Sequence, residues 1–404
     1  MNKFEGFFYT FYISAYKYPT PSNLNYNYNF GVLALVCLPI QIITGILAVM
    51  FYTNHVTMAF ESISRLMLDI VNGYILRYVH ANVASFFFIA VFLHIARSFF
   101  YGSYKSPRTS LWYSGILILF LLIIIAFLGY TLPWGQMSFW GATVITNFVT
   151  VIPYVGYQIL EYLWGSFSVS NPTLAKFFSL HFFLPFVLIF LIFYHLFRLH
   201  TTGSSNPLGI PYQTDKIFFS PYYTLKDLFT VFIFFFCLIF VVGEMPNFLG
   251  HSDNWIKANN LSTPAHIVPE WYFLFFYAIL RAIPNKTLGV LFLLLSIFCL
   301  IIPAVIARLN EKKIPKIKKT LLIFGIAIAL SYIGGHTYNS SSNIFLIYCL
   351  IVIYFSFYLV VTNKAIHHAS YFKYLCGFIS SVSFASVFVF YVAEATKQEE
   401  KKEK

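Results

Sequence analysis

YVHANVASFFFIAVFLHIARSFF, running from Tyr78 to Phe100, is a 23-residue apolar stretch with a histidine near each end and a single permanent charge, Arg97. A helix needs about 20 mostly apolar residues to cross a hydrocarbon layer of about 30 Å, so this stretch reads as a membrane span. FSLHFFLPFVLIFLIFYHLFRLH, from Phe178 to His200, repeats the pattern. In both stretches two histidines, His80 with His94 and His181 with His195, stand 14 positions apart. On an α-helix 14 residues rise about 21 Å and turn about 1400°, about 40° short of four full turns. Each pair therefore faces nearly one direction at two depths.

Outward from these two stretches, the chain carries eight apolar runs long enough to span: roughly 30–52, 78–100, 111–131, 178–200, 228–243, 287–307, 320–335 and 344–361. A ninth, 372–392, is interrupted by Ser380, Ser381, Ser383 and Ser386, and two placements stay open for it, across the bilayer or along its surface. One span separates the two histidine spans, so they run in the same direction. His80 then levels with His181, and His94 with His195.

The whole composition agrees. Of 404 residues, 59% are hydrophobic and 10% charged, with a mean hydropathy of +0.74, which excludes an ordinary soluble domain. The net charge of +12 follows topology. With the N-terminus inside, the inner segments hold Lys3, Lys17, Arg97, Lys105, Arg108, Arg198, Lys216 and Lys226 and the basic run Arg308 to Lys319, and they outnumber the basic residues outside. Such a distribution marks orientation and lipid headgroups, and no nucleic-acid patch stands out. The start, MNKFEGFFYTFYISAYKYP, lacks the small-residue cleavage site of a removable signal peptide. The five cysteines have no paired spacing, which leaves disulfides, zinc and covalently attached haem unsupported.

The expected fold is an all-α, polytopic transmembrane bundle of eight spans, or nine. Its parts are an inner-face segment at 1–29, a four-helix core at 30–210 with a long outer loop at 132–177, a C-terminal bundle at 211–362 with a second outer loop at 244–286, and a tail at 363–404. Long aromatic-rich loops are where function concentrates.

Facing imidazole pairs in an apolar bundle suit low-spin b-type haem, with both axial positions of iron filled and electron transfer as the task. Two such sites, stacked across the membrane, are expected from His80, His94, His181 and His195. Gly31 and Gly45 on the first span, and Gly115 and Gly129 on the third, are also 14 apart, and glycine lets a flat ring approach the backbone closely. A lone membrane histidine is as readily a hydrogen-bonded core residue, and a lone glycine a packing residue. Four matched pairs on successive spans outweigh those plain readings. Arg77 lies one turn before His80 and Arg97 one turn after His94, where a haem propionate would emerge; an interfacial anchor is the alternative for each.

With these residues in view, the chain resembles the mitochondrial-type cytochrome b family. GYTLPWGQMSFWGATVITN (Gly129 to Asn147), the two spans with paired histidines, and PEWYFLFFYAILRAIPNK (Pro269 to Lys286) resemble its signatures, over about Asn29 to Leu309. A thylakoid branch, usually split in two and with one more residue between the histidines of the fourth span, fits less well. The resemblance implies a dihaem subunit of a ubiquinol:cytochrome c oxidoreductase in the mitochondrial inner membrane, a bacterial plasma membrane being the less favoured place. It also implies proton translocation, a Rieske iron–sulfur protein and a c-type cytochrome as partners, and a homodimeric complex.

It further implies two quinone sites. The outer one, oxidising ubiquinol, would use Glu270 and Tyr272 with Phe127, Tyr130, Met137, Gly141, Ile145, Pro269 and Tyr277. The inner one, reducing quinone, would use His200, Ser204, Lys226 and Asp227 with Asn29 nearby. Chemistry supports Glu270 independently, since ubiquinol loses protons with its electrons and a carboxylate in an aromatic loop is desolvated toward a useful pKa. A role confined to hydrogen-bonding the loop is the alternative. Each inner-site residue alone reads as a solvated helix end.

Departures from the family pattern fall at Thr201, where an acid is usual, at Tyr28, where an indole is usual, in LSYIGGHTYNSSS (Leu330 to Ser342), and at Lys105 to Ser110, two residues longer than usual. Two rival functions remain, a dihaem membrane anchor of a dehydrogenase and a transporter without haem. The first has no need of the two long outer loops. The second would show broken helices, inverted repeats or buried acids.

Overall fold

The structure, a computed structural model, describes residues 16–209, 215–309, 317–336 and 341–363. The run 372–392 and the charged tail lie outside the described residues. Two compact units are present, Met1–Glu270 and Trp271–Lys404.

The first unit contains eight α-helices among the described residues: α1 (Phe30–Val49), α2 (Ala59–Leu68), α3 (Gly73–Phe100), α4 (Thr109–Thr131), α5 (Gln136–Thr146), α6 (Gly156–Trp164), α7 (Asn171–Thr202) and α8 (Tyr222–Glu244). Among the described residues six helices are long and apolar enough to cross a membrane; α1, α3, α4, α7 and α8 supply five and Lys286–Val305 in the second unit the sixth. Large apolar side chains point outward from them, such as Phe190 and Phe232, 74% and 70% exposed, as suits helices bathed in hydrocarbon.

Helix α7 begins earlier than its apolar run because its start signals lie upstream. Ser170 and Thr173 form a reciprocal capping box at the head of α7, with Pro172 in the first turn where no amide is needed. The division expected at 210/211 falls inside the first unit, since α8 packs on α1 and α3. Asn29 ties it down by donating to the Lys226 carbonyl at 3.1 Å and to Thr230 Oγ1 at 2.8 Å.

A short antiparallel ribbon joins β1 (Pro19–Pro21) to β2 (Lys216–Phe218), pairing Pro19 with Phe218. The all-helical expectation misses it because three-residue strands carry no alternating apolar signal. The outer loop 132–177 is ordered by α5, α6 and a core that includes Trp134, Phe139, Leu174 and Phe177. It grips the next outer loop: Gln136 N–H donates to the Ile256 carbonyl at 2.9 Å, and Asn254 Oδ1 accepts from both N–H and Oγ of Ser138 at 2.9 Å.

In the second unit, a 3₁₀ turn at Trp271–Phe273 leads into α9 (Leu274–Ala282), followed by α10 (Lys286–Phe298), α11 (Ile302–Leu309), α12 (Ile317–Gly334) and α13 (Ser341–Asn363). The run 287–307 tightens into a 3₁₀ turn at Cys299–Ile301. Pro303, without an amide hydrogen, cannot donate to the Cys299 carbonyl there. Tyr348 Oη donates to the Ala282 carbonyl at 2.7 Å, holding α13 to α9.

Candidate functional site

Helix α1 packs along α3, and α4 along α7. The shared 14-residue spacing sets the register of both pairs. A Cβ on Gly31 would lie 3.1 Å from His94 Cε1, and one on Gly45 3.2 Å from His80 Cε1. In the second pair, Gly115 would come within 3.3 Å of His195 Cε1 and Gly129 within 2.4 Å of His181 Cε1. Each glycine thus makes room for one imidazole, the close approach of a ring to the backbone that the spacing led one to expect of a haem being made here by histidine. The imidazoles meet in two layers. His80 and His181 have ring centres 6.3 Å apart, and His94 and His195 6.4 Å apart.

All four Nδ1 atoms are engaged. His181 Nδ1 donates to the Ile125 carbonyl at 2.9 Å, His80 Nδ1 meets Thr44 Oγ1 at 2.9 Å, and His195 Nδ1 meets Ser114 Oγ at 2.8 Å. The fourth differs, since Arg97 Nη2 donates to His94 Nδ1 at 3.1 Å. Nδ1 engagement leaves Nε2 of His80, His181 and His195 as the atom for a ligand between the facing pairs, while His94 offers its Nε2 once Arg97 turns to another acceptor and Nδ1 takes the proton. Sequence reading missed Thr44 and Ser114; the available signal is that each hydroxyl directly precedes one of the spaced glycines.

Comparison with known proteins agrees with this geometry. A family model described as Cytochrome b/b6/petB matches residues 15–203, and one described as Cytochrome b(C-terminal)/b6/petD matches residues 257–357. The chain belongs to the cytochrome b family. Relatives named cytochrome b include that of Mycosarcoma maydis, 57% identical over 67% of this chain and 69% of the relative, and that of Dictyostelium discoideum, 48% identical over 80% and 84%. A solved chain titled Hyperthermophilic respiratory Complex III superposes with a TM-score of 0.83 at 30% identity, covering 88% of this chain and 96% of that one.

Membership in the cytochrome b family carries b-type haem binding with it, and the residues fit that group. Two metal–imidazole bonds of about 2 Å, plus about 1.1 Å from each nitrogen to its ring centre, place the centres of a ligating pair about 6 Å apart. Both layers have that separation. Arg97 Nε is buried without a hydrogen-bond partner, and the guanidinium sits 4.7 Å from the Tyr28 ring centre, so this cation has capacity for an anionic carboxylate.

The glycines make this testable. Gly129→Val and Gly115→Val are expected to lower haem content, Gly129→Val the more, because the added carbons displace the His181 and His195 rings. The contact at Gly129 is so close that Gly129→Ala should already lower haem content, whereas Gly115→Ala should not. Absorption spectra of membranes from the four variants check this ordering.

Around Glu270, burial pushes the carboxyl up to about 7, opposed by a hydrogen bond from Tyr130 and by the Arg77 charge. Met137, Gly141 and Ile145 are spaced by four and share one face of α5. A Cβ on Gly141 would meet nothing within 4 Å, so there is open space beside Gly141, while Met137 on the same face is buried. Phe127 packs on Phe177, with ring centres 5.8 Å apart. The PEWY stretch straddles the two units, Pro269 and Glu270 closing the first and Trp271 and Tyr272 opening the second. In that second unit Tyr272 is buried, and the Arg281 guanidinium lies 5.7 Å from the Tyr277 ring centre.

The inner residues fall into two groups. Asn29, Lys226 and Asp227 gather where α8 begins; Lys226 Nζ donates to the Leu24 carbonyl and lies 4.8 Å from the Tyr26 ring centre. His200 instead packs on Tyr18, with ring centres 4.5 Å apart. Beside it, Arg108 Nε donates to the Gly203 carbonyl at 2.7 Å and Nη2 to the Ser204 carbonyl at 3.0 Å. Arg108 comes from the stretch whose length departs from the family pattern, and it caps the end of α7.

Proposed function

We propose that this chain works as the cytochrome b of a respiratory complex III, the core subunit of a ubiquinol:cytochrome c oxidoreductase, with two haems and two quinone sites on opposite sides of a mitochondrial inner membrane. The observation that carries the reading is the stack of two imidazole layers with the separation that iron requires. When bound, the haems supply two one-electron carriers at different depths. His80 and His181 hold the outer haem and His94 and His195 the inner, while Arg77 and Arg97 neutralise carboxylates at the two faces.

At the outer site Glu270 accepts a proton from the quinol hydroxyl. A carboxyl titrating near 7 is neutral and ionised in comparable amounts at working pH, which suits it to take and release protons. The family resemblance also assigns Pro269, Phe127, Tyr130, Met137, Gly141 and Ile145, together with Tyr272 and Tyr277, to quinol binding. At the inner site His200 and Asp227 supply protons, and Ser204, Lys226 and Asn29 shape the surroundings. The family resemblance supports a Rieske protein and a c-type cytochrome as partners in a homodimeric complex. It also supports spans seven and eight at α12 and α13, whose lengths of 18 and 23 residues suffice for a thin crossing.

The test is a redox titration of the purified complex followed optically, alongside quinol:cytochrome c reduction. Two b-type components with quinol-dependent turnover are expected. A single component without turnover would favour a membrane anchor, and a colourless protein a transporter.

A further inference from the structure

Two hydroxyls outside the expected site touch the candidate ligands, and their hydrogen positions are settled by their other bonds. Thr44 Oγ1 donates to the Ile40 carbonyl at 2.6 Å, the preceding turn of its own helix. Ser114 Oγ donates to the Leu111 carbonyl at 2.8 Å. A carbonyl oxygen only accepts, so each hydroxyl hydrogen is committed. The lone pairs then receive Nδ1–H from His80 at 2.9 Å and from His195 at 2.8 Å, the His195 hydrogen being shared with the Leu111 carbonyl. Each ring is thereby fixed as the tautomer whose Nε2 is free to bind a metal.

The hydroxyls are distributed one to a layer. Thr44 serves His80 in the outer layer and Ser114 serves His195 in the inner one, on α1 and α4 respectively. In both cases the next residue is the glycine, Gly45 or Gly115, whose missing Cβ admits the same ring. The hydroxyl–glycine dipeptide is therefore a two-part seat: the glycine brings the imidazole close, and the hydroxyl orients it and draws on its proton. Gly31 and Gly129 are preceded by Phe30 and Leu128 and lack the second part.

We propose that Thr44 and Ser114 are positioning residues that set the tautomer and basicity of His80 and His195, and so tune the two haem potentials independently. The proposal rests on the dihaem reading above. An acceptor at Nδ1–H gives the ring more anionic character, strengthening its donation to ferric iron and favouring the oxidised form. Removing the acceptor raises the potential. One neutral hydrogen bond is worth about 0.5–1.5 kcal/mol. That corresponds to roughly twofold to thirteenfold in the one-electron equilibrium, or about 22 to 65 mV at about 59 mV per tenfold.

The experiment is a potentiometric titration of the b-type absorption bands in the assembled complex, with haem content measured beside it. Thr44→Val is expected to raise one component by that amount and leave the other in place, while Ser114→Ala raises the other. Thr44→Ser restores the acceptor and should restore the original potential. Unchanged potentials at full haem content would overturn the proposal, as would both components moving together in one variant. A shift in Thr44→Ser equal to that in Thr44→Val would also overturn it, since packing would then be responsible. Should Thr44→Val lose its haem, Thr44→Ala reads the same bond without the added methyl, and an unshifted potential there counts against the idea. The haem-ligand reading fails separately, by haem persisting when the histidines themselves are replaced.

Discussion

Replacing His80 or His181 with leucine is expected to abolish the outer haem and leave the inner one, and replacing His94 or His195 the reverse. The expectation follows from the geometry of each layer. Two rings with centres 6.3 or 6.4 Å apart offer one nitrogen each to a shared iron, and leucine has no lone pair to replace either. Leucine is a good helix former and is at home in hydrocarbon, so the span itself should persist. Loss of pigment then reports ligation, with insertion checked separately. The remaining imidazole keeps its own anchor, such as the Ile125 carbonyl for His181, but a single axial bond does not retain a low-spin bis-imidazole centre. Reduced-minus-oxidised spectra, with extracted haem counted per chain, should fall from two haems to one. Two haems in any of the four variants would remove that histidine from the ligand set.

What could be read in the sequence was whatever repeats along one helix. The 14-residue spacing of His80 with His94, and of Gly31 with Gly45, has a helical period built into it, and the structure turns it into layers without further information. Paired contacts between distant segments carry no such period. Nothing in the residues around Gln136 announces that their backbone pairs with Ile256, more than a hundred positions away. The ribbon of Pro19–Pro21 with Lys216–Phe218 is equally silent, being too short to alternate. The proposed outer quinol site rests mainly on resemblance, since its residues in the first unit come from α4, α5 and the loop ending at Glu270. Thr44 and Ser114 are an intermediate case. Each lies at a position the spacing argument already marked, yet a hydroxyl inside an apolar helix ordinarily bonds back to its own preceding turn. Only the three-dimensional placement of His80 and His195 shows that the remaining lone pairs are used.

Glu270→Gln is expected to slow quinol oxidation about 100-fold to 10,000-fold where proton transfer limits turnover, with both haems retained. The amide matches the carboxyl in shape and keeps part of its hydrogen bonding, but it cannot accept a proton to become a neutral acid. Burial pushes the Glu270 carboxyl up to about 7 against the opposing influence of Tyr130 and Arg77. The form that accepts a proton is the carboxylate, so its fraction grows as pH rises through about 7 and shrinks below it. Quinol oxidation by the unmodified complex should therefore climb across this window, and the variant should lose that climb while keeping whatever slope the other groups impose. Water reaching the site carries part of the proton flux, which leaves the defect incomplete. Steady-state quinol:cytochrome c reduction measured from about pH 5 to 9, with haem content and electron exchange at the inner site as controls, separates a proton-transfer role from a structural one. An unchanged rate with an unchanged pH profile would take Glu270 out of the proton path and leave the PEWY stretch a structural loop.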